Sequence, residues 1–235
     1  MIDQLTIVGL PITKESVTKR FTDFINQDKK VAVFTLGSLD TDCNDYIIST
    51  VGHKLILSSN KKVISLNLWY KNGKRRKPKL VVKDLLEELY IFQQNNPDYE
   101  LAYMVPGSPF YGDSICPLLI EIIKDVTVIN TQSSSLLTYN AISKYTKTNL
   151  NYNHCHFPLK SKSINVLSCL GPAYKISWLF TKLMLLSISK CDKLYTVYIG
   201  KENVITEITK DVFVELIKKR PEYMNRLTLV VVKNV

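Results

Sequence analysis

The residues best placed for chemistry lie in one segment, an apolar run that ends in Pro-Gly-Ser-Pro at residues 106–109. Residues 101–105 predict a buried strand, and a helix-like stretch follows from residue 114. Small ligands bind open α/β sheets where strands end, because main-chain N–H and C=O groups are exposed there. Gly107 lets a ligand approach the main chain, and the flanking prolines restrict the loop. The segment predicts a small-ligand site, although an ordinary strand-to-helix turn has the same composition.

Metal and thiol chemistry find little support in the sequence. The five cysteines are odd in number and far apart, and no C-x-x-C occurs. Neither a disulfide framework nor a zinc site is therefore predicted. His154-Cys155-His156 offers three ligands, but no further ligand follows at metal-site spacing, so we expect an exposed loop there. The cysteine usage favours a reducing cytoplasm.

The composition is that of a soluble globular protein, with 46% hydrophobic and 22% charged residues in 235. That length holds one large or two small domains. No apolar run reaches the roughly 18 residues of a membrane span, so we predict none. The amino terminus carries Asp3 and no basic region, which argues against a signal peptide.

The formal charge of +10 favours acidic partners such as phosphates, polycarboxylates or nucleic acid. Trp69 and Tyr70 stand next to six cations within residues 71–79. This combination suits single-stranded nucleic acid, which binds by stacking and by phosphate contacts. No known nucleic-acid-binding signature accompanies it, so a solvated surface loop is the favoured interpretation and nucleic acid the open alternative.

The elements that must position these residues alternate between strand and helix. In the first half we expect strands at residues 5–8, 30–36, 62–68 and 101–105, and helices at 13–27, 43–51 and 81–93. In the second half we expect strands at 126–129, 163–167, 194–199, 206–208 and 226–232, helices at 115–123, 133–145, 174–188 and 210–219, and a polar loop at 149–162. This alternation predicts a largely parallel sheet covered on both faces in the first half. We place a domain boundary between residues 1–123 and 124–235.

Four segments, taken in order, resemble one family. Residues 6–11 (TIVGLP) resemble a strand with its Gly-rich G-x-G-x-G-D turn, and residues 102–110 resemble a strand ending in V-x-G-[DHS]-P. Residues 128–136 are similar to a V-x-V-x-P-G-[IQ]-S-S run, and the stretch from 166–170 to 194–200 completes the order. The chain thus resembles the tetrapyrrole methylases, the class III S-adenosylmethionine-dependent methyltransferases, and within them the methylase-like domain of MazG-type proteins.

Two departures from that pattern concern the same region. Leu10-Pro11-Ile12 retains neither the later glycines nor the aspartate of the first turn, and Asn130-Thr131 replaces the family's Pro-Gly. Both departures weaken the expectation of a standard tetrapyrrole substrate.

The resemblance implies a two-lobed α/β fold, each lobe a mixed or parallel sheet flanked by helices. It also implies S-adenosyl-L-methionine held between the lobes, no metal, and a homodimer. The implied cofactor-binding residues are Val105, Pro106, Gly107, Ser108, Phe110, Ser133, Ser134, Leu170, Ile199 and Gly200. The residues chosen as catalytic are Tyr70, Arg76 and Tyr103, with Arg75, Tyr111 and Asp113 as further candidates; Asp113 is favoured as a helix cap.

Three functions remain open at this point. The first is a cytoplasmic methyltransferase acting on a small molecule or peptide, an anionic one in view of the protein's charge. The second is a catalytically silent binding or scaffold protein that keeps the fold, as the degenerate first turn indicates. The third is an RNA-modifying methyltransferase, which the basic residues 71–79 indicate.

Overall fold

The computed structural model describes residues 2–36, 50–72, 74–110, 113–154, 159–167, 178–199, 203–219 and 227–234. The chain separates into two compact units, Met1–Ser133 and Ser134–Val235. The helices are α1 (Lys19–Asn26), α2 (Val51–Leu57), α3 (Pro78–Asn95), α4 (Cys116–Ile122), α5 (Ser134–Thr146), α6 (Trp178–Ser187) and α7 (Lys210–Lys219). The strands are β1 (Gln4–Leu10), β2 (Val31–Leu36), β3 (Lys62–Leu66), β4 (Tyr70–Lys71), β5 (Lys74–Arg75), β6 (Glu100–Pro106), β7 (Asp125–Ile129), β8 (Asn151–His154), β9 (Ser163–Leu167), β10 (Lys193–Tyr198), β11 (Val204–Ile208) and β12 (Leu227–Lys233).

The first unit is built on a parallel sheet with strand order β3-β2-β6-β1-β7. Side chains alternate between its two faces. Val8 and Leu10 pack with Phe21 of α1 and Ile56 of α2, whereas Ile7 lies on the opposite face, in the core formed with α3 and α4. A strand covered on both faces must be apolar at nearly every position, and every residue of β2 is buried. The predicted α/β class and doubly covered parallel sheet are therefore confirmed.

Strand β7 belongs to the first sheet. It pairs with β1 in parallel, with Val8 opposite Ile129, and the first compact unit accordingly runs through Ser133. The domain boundary predicted between residues 123 and 124 separates this strand from the sheet in which it pairs. A strand's own residues do not reveal its partner, because several apolar strands could fill the free edge of β1.

Two local expectations differ from the structure, and a third, the helix expected at residues 43–51, cannot be compared with it. Within the helix expected at residues 13–27, α1 begins only after Thr18, whose hydroxyl accepts a 3.2 Å hydrogen bond from the Phe21 N–H, and a short 3-10 helix (Lys14–Ser16) precedes it. The helix expected at residues 43–51 falls largely outside the described residues, and α2 begins only at Val51. The polar stretch 149–162 contains strand β8, which pairs with β9 in parallel.

The second unit contains a mixed sheet with strand order β11-β10-β12-β9-β8. Among the strands that the structure describes in this sheet, only the β8–β9 pair is parallel, and β12 and β10 are antiparallel to their neighbours. Its core packs Leu167, Leu194 and Leu229 of the sheet against Met184 and Phe213 of the helices. The predicted mixed sheet flanked by helices is thus present.

A buried amide joins three segments of this second sheet. The Asn165 Oδ1 accepts hydrogen bonds from the Asn153 side chain at 2.7 Å and from the Lys160 N–H at 2.8 Å. Its Nδ2 donates to the carbonyls of Lys160 and Val231, at 3.1 and 3.2 Å. Asn165 is fully buried, so each of these partners depends on it for satisfaction.

We expect Asn165→Ala to lower the free energy of unfolding by about 2–4 kcal/mol, because buried donors and acceptors lose their partner. Urea denaturation followed by circular dichroism measures the change. Asn151→Ala, at an exposed position of β8, is the matched control and should alter stability by less than about 0.5 kcal/mol. Equal effects of the two substitutions would contradict the assigned role.

Candidate functional site

The carboxyl ends of the parallel strands share one edge of the first sheet, and two adjacent strands there send the chain in opposite directions. Strands β1 and β6 pair with Gly9 opposite Val105 and Leu10 opposite Pro106. The chain leaves β1 for α1 on one face and leaves β6 for α4 on the other. Such a switch point opens a crevice at the strand ends, which is where ligands bind in open α/β sheets. The Pro-Gly-Ser-Pro loop, residues 106–109, lies at this point.

Gly107 gives the loop its sharp bend. Its φ of 73° lies in the left-handed region, which glycine adopts without steric cost. Its N–H donates a 2.9 Å hydrogen bond to the carbonyl of Leu10, so the bend is fastened to the end of β1. Phe110 follows with 63% of its surface exposed. The loop therefore combines a fixed backbone with an exposed aromatic ring.

Gly9 is required because this loop rests directly on β1. A Cβ at position 9 would lie 2.6 Å from the Gly107 carbonyl oxygen and 2.8 Å from Pro109 Cδ. It would also lie 3.1 Å from Thr131 Cγ2. The one glycine that the chain retains from the Gly-rich turn is thus the one against which the ends of β6 and β7 pack.

Asn130 and Thr131, which follow β7, fasten the site from the other side. The Ser108 hydroxyl donates to Asn130 Oδ1 at 2.7 Å, and the Thr131 N–H donates to the same oxygen at 2.9 Å. The Thr131 hydroxyl donates to the Ser16 carbonyl at 2.8 Å, beyond β1. Sequence reasoning did not choose Asn130 or Thr131 as site residues. The sequence does contain one indication of their role: these two residues, whose side chains can form hydrogen bonds, replace the Pro-Gly pair of the family pattern.

Buried polar atoms without a hydrogen-bond partner occur in residues near the carboxyl ends of β1 and β2 in sequence, and in α2. Among the described residues, Thr13 Oγ1, Thr35 Oγ1 and His53 Nδ1 are buried side-chain atoms without a hydrogen-bond partner. Thr13 follows β1, and Thr35 is the penultimate residue of β2. Helix α2, which carries His53, is joined to Pro11 by a 2.8 Å hydrogen bond that the Gly52 N–H donates to the Pro11 carbonyl. Burial lowers the pKa of His53, which keeps its imidazole neutral. Buried polar groups of this kind are usually satisfied by water or a ligand.

The three residues predicted to be catalytic occupy different environments in the first unit. Tyr70 is half-buried on β4 and pairs with Arg75 in the β4–β5 hairpin. The Arg76 guanidinium lies 2.7 Å from the Asp84 carboxylate and also donates to the Leu68 carbonyl. Tyr103 is only 2% exposed and packs within the core between the sheet, α3 and α4. Their catalytic roles stay predictions, and of the three only Tyr70 combines exposure with a phenol.

The remaining candidates divide between described and undescribed residues. The Asp113 carboxylate accepts hydrogen bonds from the N–H groups of Ile115 and Cys116, at 2.8 and 2.7 Å, so it caps the start of α4 as expected. Tyr111 and the side chain of Arg75 lie outside the described part of the structure.

The structure describes some, but not all, of the predicted cofactor-binding residues that follow residue 130. Ser133 precedes α5, and Ser134 is its first residue. The main-chain carbonyl of Ser134 accepts a 2.8 Å hydrogen bond from the Thr138 hydroxyl. Ile199 follows β10 and is 5% exposed. Leu170 and Gly200 lie outside the described residues. Their assignment to a cofactor stays a prediction.

Solved structures share this architecture over nearly the whole chain. Uroporphyrin-III-C-methyltransferase from Thermus thermophilus superposes with a TM-score of 0.57 at 10% identity, covering 98% of this chain and 94% of that one. The tetrapyrrole methylase fold is therefore present here. The cobalamin biosynthetic enzyme cobalt precorrin-4 methyltransferase gives a TM-score of 0.55 at 13% identity, covering 97% and 94%. The Thermus enzyme complexed with S-adenyl homocysteine also gives 0.55, at 11% identity, covering 97% and 91%.

Comparison of sequences, unlike comparison of structures, finds no related protein. No family model matches the sequence, and no curated protein matches it significantly. The expected closeness to MazG-type domains stays a prediction. In the described ranges, no helix has the length and hydropathy to cross a membrane, and no group of three or more acidic, histidine or cysteine side chains could hold a metal ion.

We expect Gly9→Ala to destabilise the first unit by about 1–3 kcal/mol, since the new methyl group must displace backbone rather than a flexible side chain. Thermal unfolding by calorimetry measures the loss. Thr127→Ala, at an exposed position on neighbouring β7, is the control and should change stability by less than about 0.5 kcal/mol. Full stability of Gly9→Ala would show that the loop does not rest on β1.

The Arg76–Asp84 pair generates a pH-dependent prediction. The hydrogen bond from Arg76 lowers the pKa of Asp84 from its ordinary value of 3.8. A lowered carboxyl pKa stabilises the fold above the unfolded-state value, and this contribution is lost as pH falls through the folded-state value. Wild type should therefore exceed Asp84→Asn in melting temperature at pH 7, and the difference should begin to shrink below about pH 4 and vanish only once pH is below the folded-state pKa. Asp125→Asn, at an exposed position, is the control; a difference for Asp84→Asn that stays constant with pH would refute the assignment.

Proposed function

We propose that this protein is an S-adenosylmethionine-dependent methyltransferase that binds its methyl donor at residues 105–110 and acts on a small-molecule or peptide acceptor. The observation that carries the proposal is the left-handed Gly107 at the switch point between β1 and β6. A structure with the same fold is complexed with S-adenyl homocysteine, which supports this choice of ligand class.

The residues at this edge fit such a ligand. Gly107 places no side chain at the bend, and the loop is held in one conformation by the bonds to Leu10 and Asn130. The exposed Phe110 ring suits a nucleoside or thioether group. The buried Thr13 hydroxyl, unpaired within the described residues, would gain a partner from a polar ligand. These are features of a polar small-molecule site with a rigid frame.

S-adenosylmethionine would supply a methyl group made electrophilic by its sulfonium, so the chain's own residues need to supply little more than orientation. The main chain of Val105, Pro106 and Gly107 would hold the donor in register with β1, to which these residues are bonded. The loops at the strand ends would exclude water from the reacting atoms.

Tyr70 is the residue we propose for the acceptor side. It is half-buried, and its phenol can accept a hydrogen bond from an acceptor N–H or O–H and, when ionised, take its proton. Arg76, engaged by Asp84 and backbone carbonyls, would act as a positioning residue by holding the hairpin that carries Tyr70. A cytoplasmic location and a homodimeric state complete the proposal.

A silent binding protein is the second candidate, and one observation favours it. Leu10 and Ile12, which stand within the degenerate Gly-rich turn, are 0% and 2% exposed, so apolar side chains fill space that a glycine-rich turn leaves open. Under this alternative the cofactor would bind without turnover of any acceptor.

Calorimetric titration with S-adenosylhomocysteine tests the proposal. We expect wild type to bind, and Gly107→Val to weaken binding by at least about tenfold, because a β-branched residue cannot hold a left-handed φ without strain. Thr127→Val places the same side chain on exposed β7 and should bind as wild type does.

Ser108→Ala is the second variant for this titration, to be used if Gly107→Val does not fold. It removes only the hydroxyl, which donates to Asn130 and accepts a longer, 3.4 Å hydrogen bond from the Phe110 N–H, and we expect binding about 2–10 times weaker. The absence of any heat with folded wild type at millimolar ligand would overturn the proposal.

A further inference from the structure

The β4–β5 hairpin and the start of α3 carry an unusual concentration of positive charge. Residues 70–79 contain six cations and no acidic residue. Lys71, Lys74, Lys77 and Lys79 are all exposed, and none of the four makes an ion pair within the described residues. We call these four side chains the lysine face. Charge concentrated in this way attracts anions with repeating charges.

The lysine face contains a feature that costs stability. Lys71 and Lys74 are direct cross-strand partners in the hairpin, so their ammonium groups extend from the same side. Like charges directly opposite each other destabilise a strand pair. The Asp84 carboxylate of α3 offsets part of this repulsion through its attraction to Lys71. Lys74 has no such carboxylate within the described residues, and an anion that binds between the two lysines would offset the remainder.

Arg76 makes the hairpin rigid enough to bind. Its N–H donates a 2.8 Å hydrogen bond to the Trp69 carbonyl, which closes the hairpin base. Its guanidinium pairs with Asp84 of α3 at 2.7 Å and, with a side chain only 14% exposed, is not available to a partner. One cation of the segment thus serves the fold and orients the hairpin against α3. A pre-organised surface loses less conformational entropy on binding.

The residue types in 70–79 favour single-stranded nucleic acid over an anionic membrane as the partner. Residues 70–79 contain no Leu, Ile, Val, Met or Phe, so they lack the apolar side chains with which peripheral proteins enter a bilayer. They contain instead a half-buried tyrosine, Tyr70, which precedes Lys71 in β4 and is the cross-strand partner of Arg75, on the other face of the hairpin from Lys71 and Lys74. An aromatic ring beside cations is the arrangement that binds single strands, through base stacking and phosphate contacts.

We infer that the lysine face binds the phosphodiester backbone of single-stranded RNA. The hairpin follows β3, so it begins at the carboxyl edge of the first sheet, the edge that also carries the Pro-Gly-Ser-Pro loop. The inference stands on the hairpin alone and does not depend on methyl transfer.

The test is fluorescence anisotropy with a labelled oligouridylate of about 20 nucleotides, longer than one single-strand module occupies. The protein is the full chain, titrated between about 50 and 200 mM salt. The variant replaces Lys71, Lys74, Lys77 and Lys79 with Gln. We expect the salt slope of log affinity to fall by about 3, since each phosphate contact contributes about 0.7 for a single strand, and affinity at low salt to fall by at least about tenfold.

A matched control removes the same charge elsewhere. Lys124, Lys144, Lys190 and Lys193 are exposed and likewise form no ion pair within the described part of the chain. Replacing these four with Gln should leave the affinity for RNA within about twofold of wild type. Equal losses in the two variants would overturn the inference, because net charge rather than the hairpin would then govern binding.

Two further outcomes would also overturn it: unchanged RNA affinity in the hairpin variant, or binding of phosphatidylserine vesicles without binding of RNA. Titration of the hairpin variant with S-adenosylhomocysteine separates this inference from the proposed function. Retained binding of that ligand with lost RNA affinity supports the lysine face. Wild type that binds RNA but not S-adenosylhomocysteine would leave the lysine face standing and overturn only the methyltransferase proposal.

Discussion

The close packing of the Pro-Gly-Ser-Pro loop on Gly9 is the constraint on which the candidate site depends. There is no room for a Cβ at position 9, because the Gly107 carbonyl and the Pro109 ring already occupy that space. This contact sets how far the end of β6 can bend over β1. The bend in turn places the Ser108 hydroxyl where the Asn130 side chain accepts it. Without the small residue on β1, the loop would have to rise from the sheet, and these bonds could not form together.

The hydrogen bonds around Asn130 and Thr131 show how a chain can depart from a family pattern and keep a fixed site. A Pro-Gly pair fixes a loop through its restricted and permissive backbone angles. Here side chains do the fixing, through Ser108 on one side and the Ser16 carbonyl on the other. Side-chain hydrogen bonds and a restricted backbone can make a loop equally rigid. A chain can therefore replace the residues of a motif and keep the loop conformation that the motif fixes.

Charge in this protein serves two separate purposes within a few residues. Arg76 is partly buried and bonded, and it joins the hairpin to α3. The neighbouring lysines are exposed and unpaired within the described structure, including a cross-strand pair that folding alone does not favour. An arginine suits the first purpose because its planar group bonds to a carboxylate and to carbonyls at once, and lysine suits the second because its charge stays mobile in water.

Local patterns of residue type were enough to predict part of this structure. Alternating apolar segments gave the α/β class, and the apolar strand ending in Pro-Gly-Ser-Pro gave the candidate loop, because burial on both faces and a left-handed bend each demand particular residue types. Other features follow from long-range contacts: the pairing of β7 with β1, the strand β8 inside a polar stretch, and the contact between Gly9 and Gly107. These depend on residues far apart in the chain, whose partners no local pattern specifies. The role of Asn130 belongs with them, since an exposed asparagine after a strand carries no mark of the serine that will bond to it.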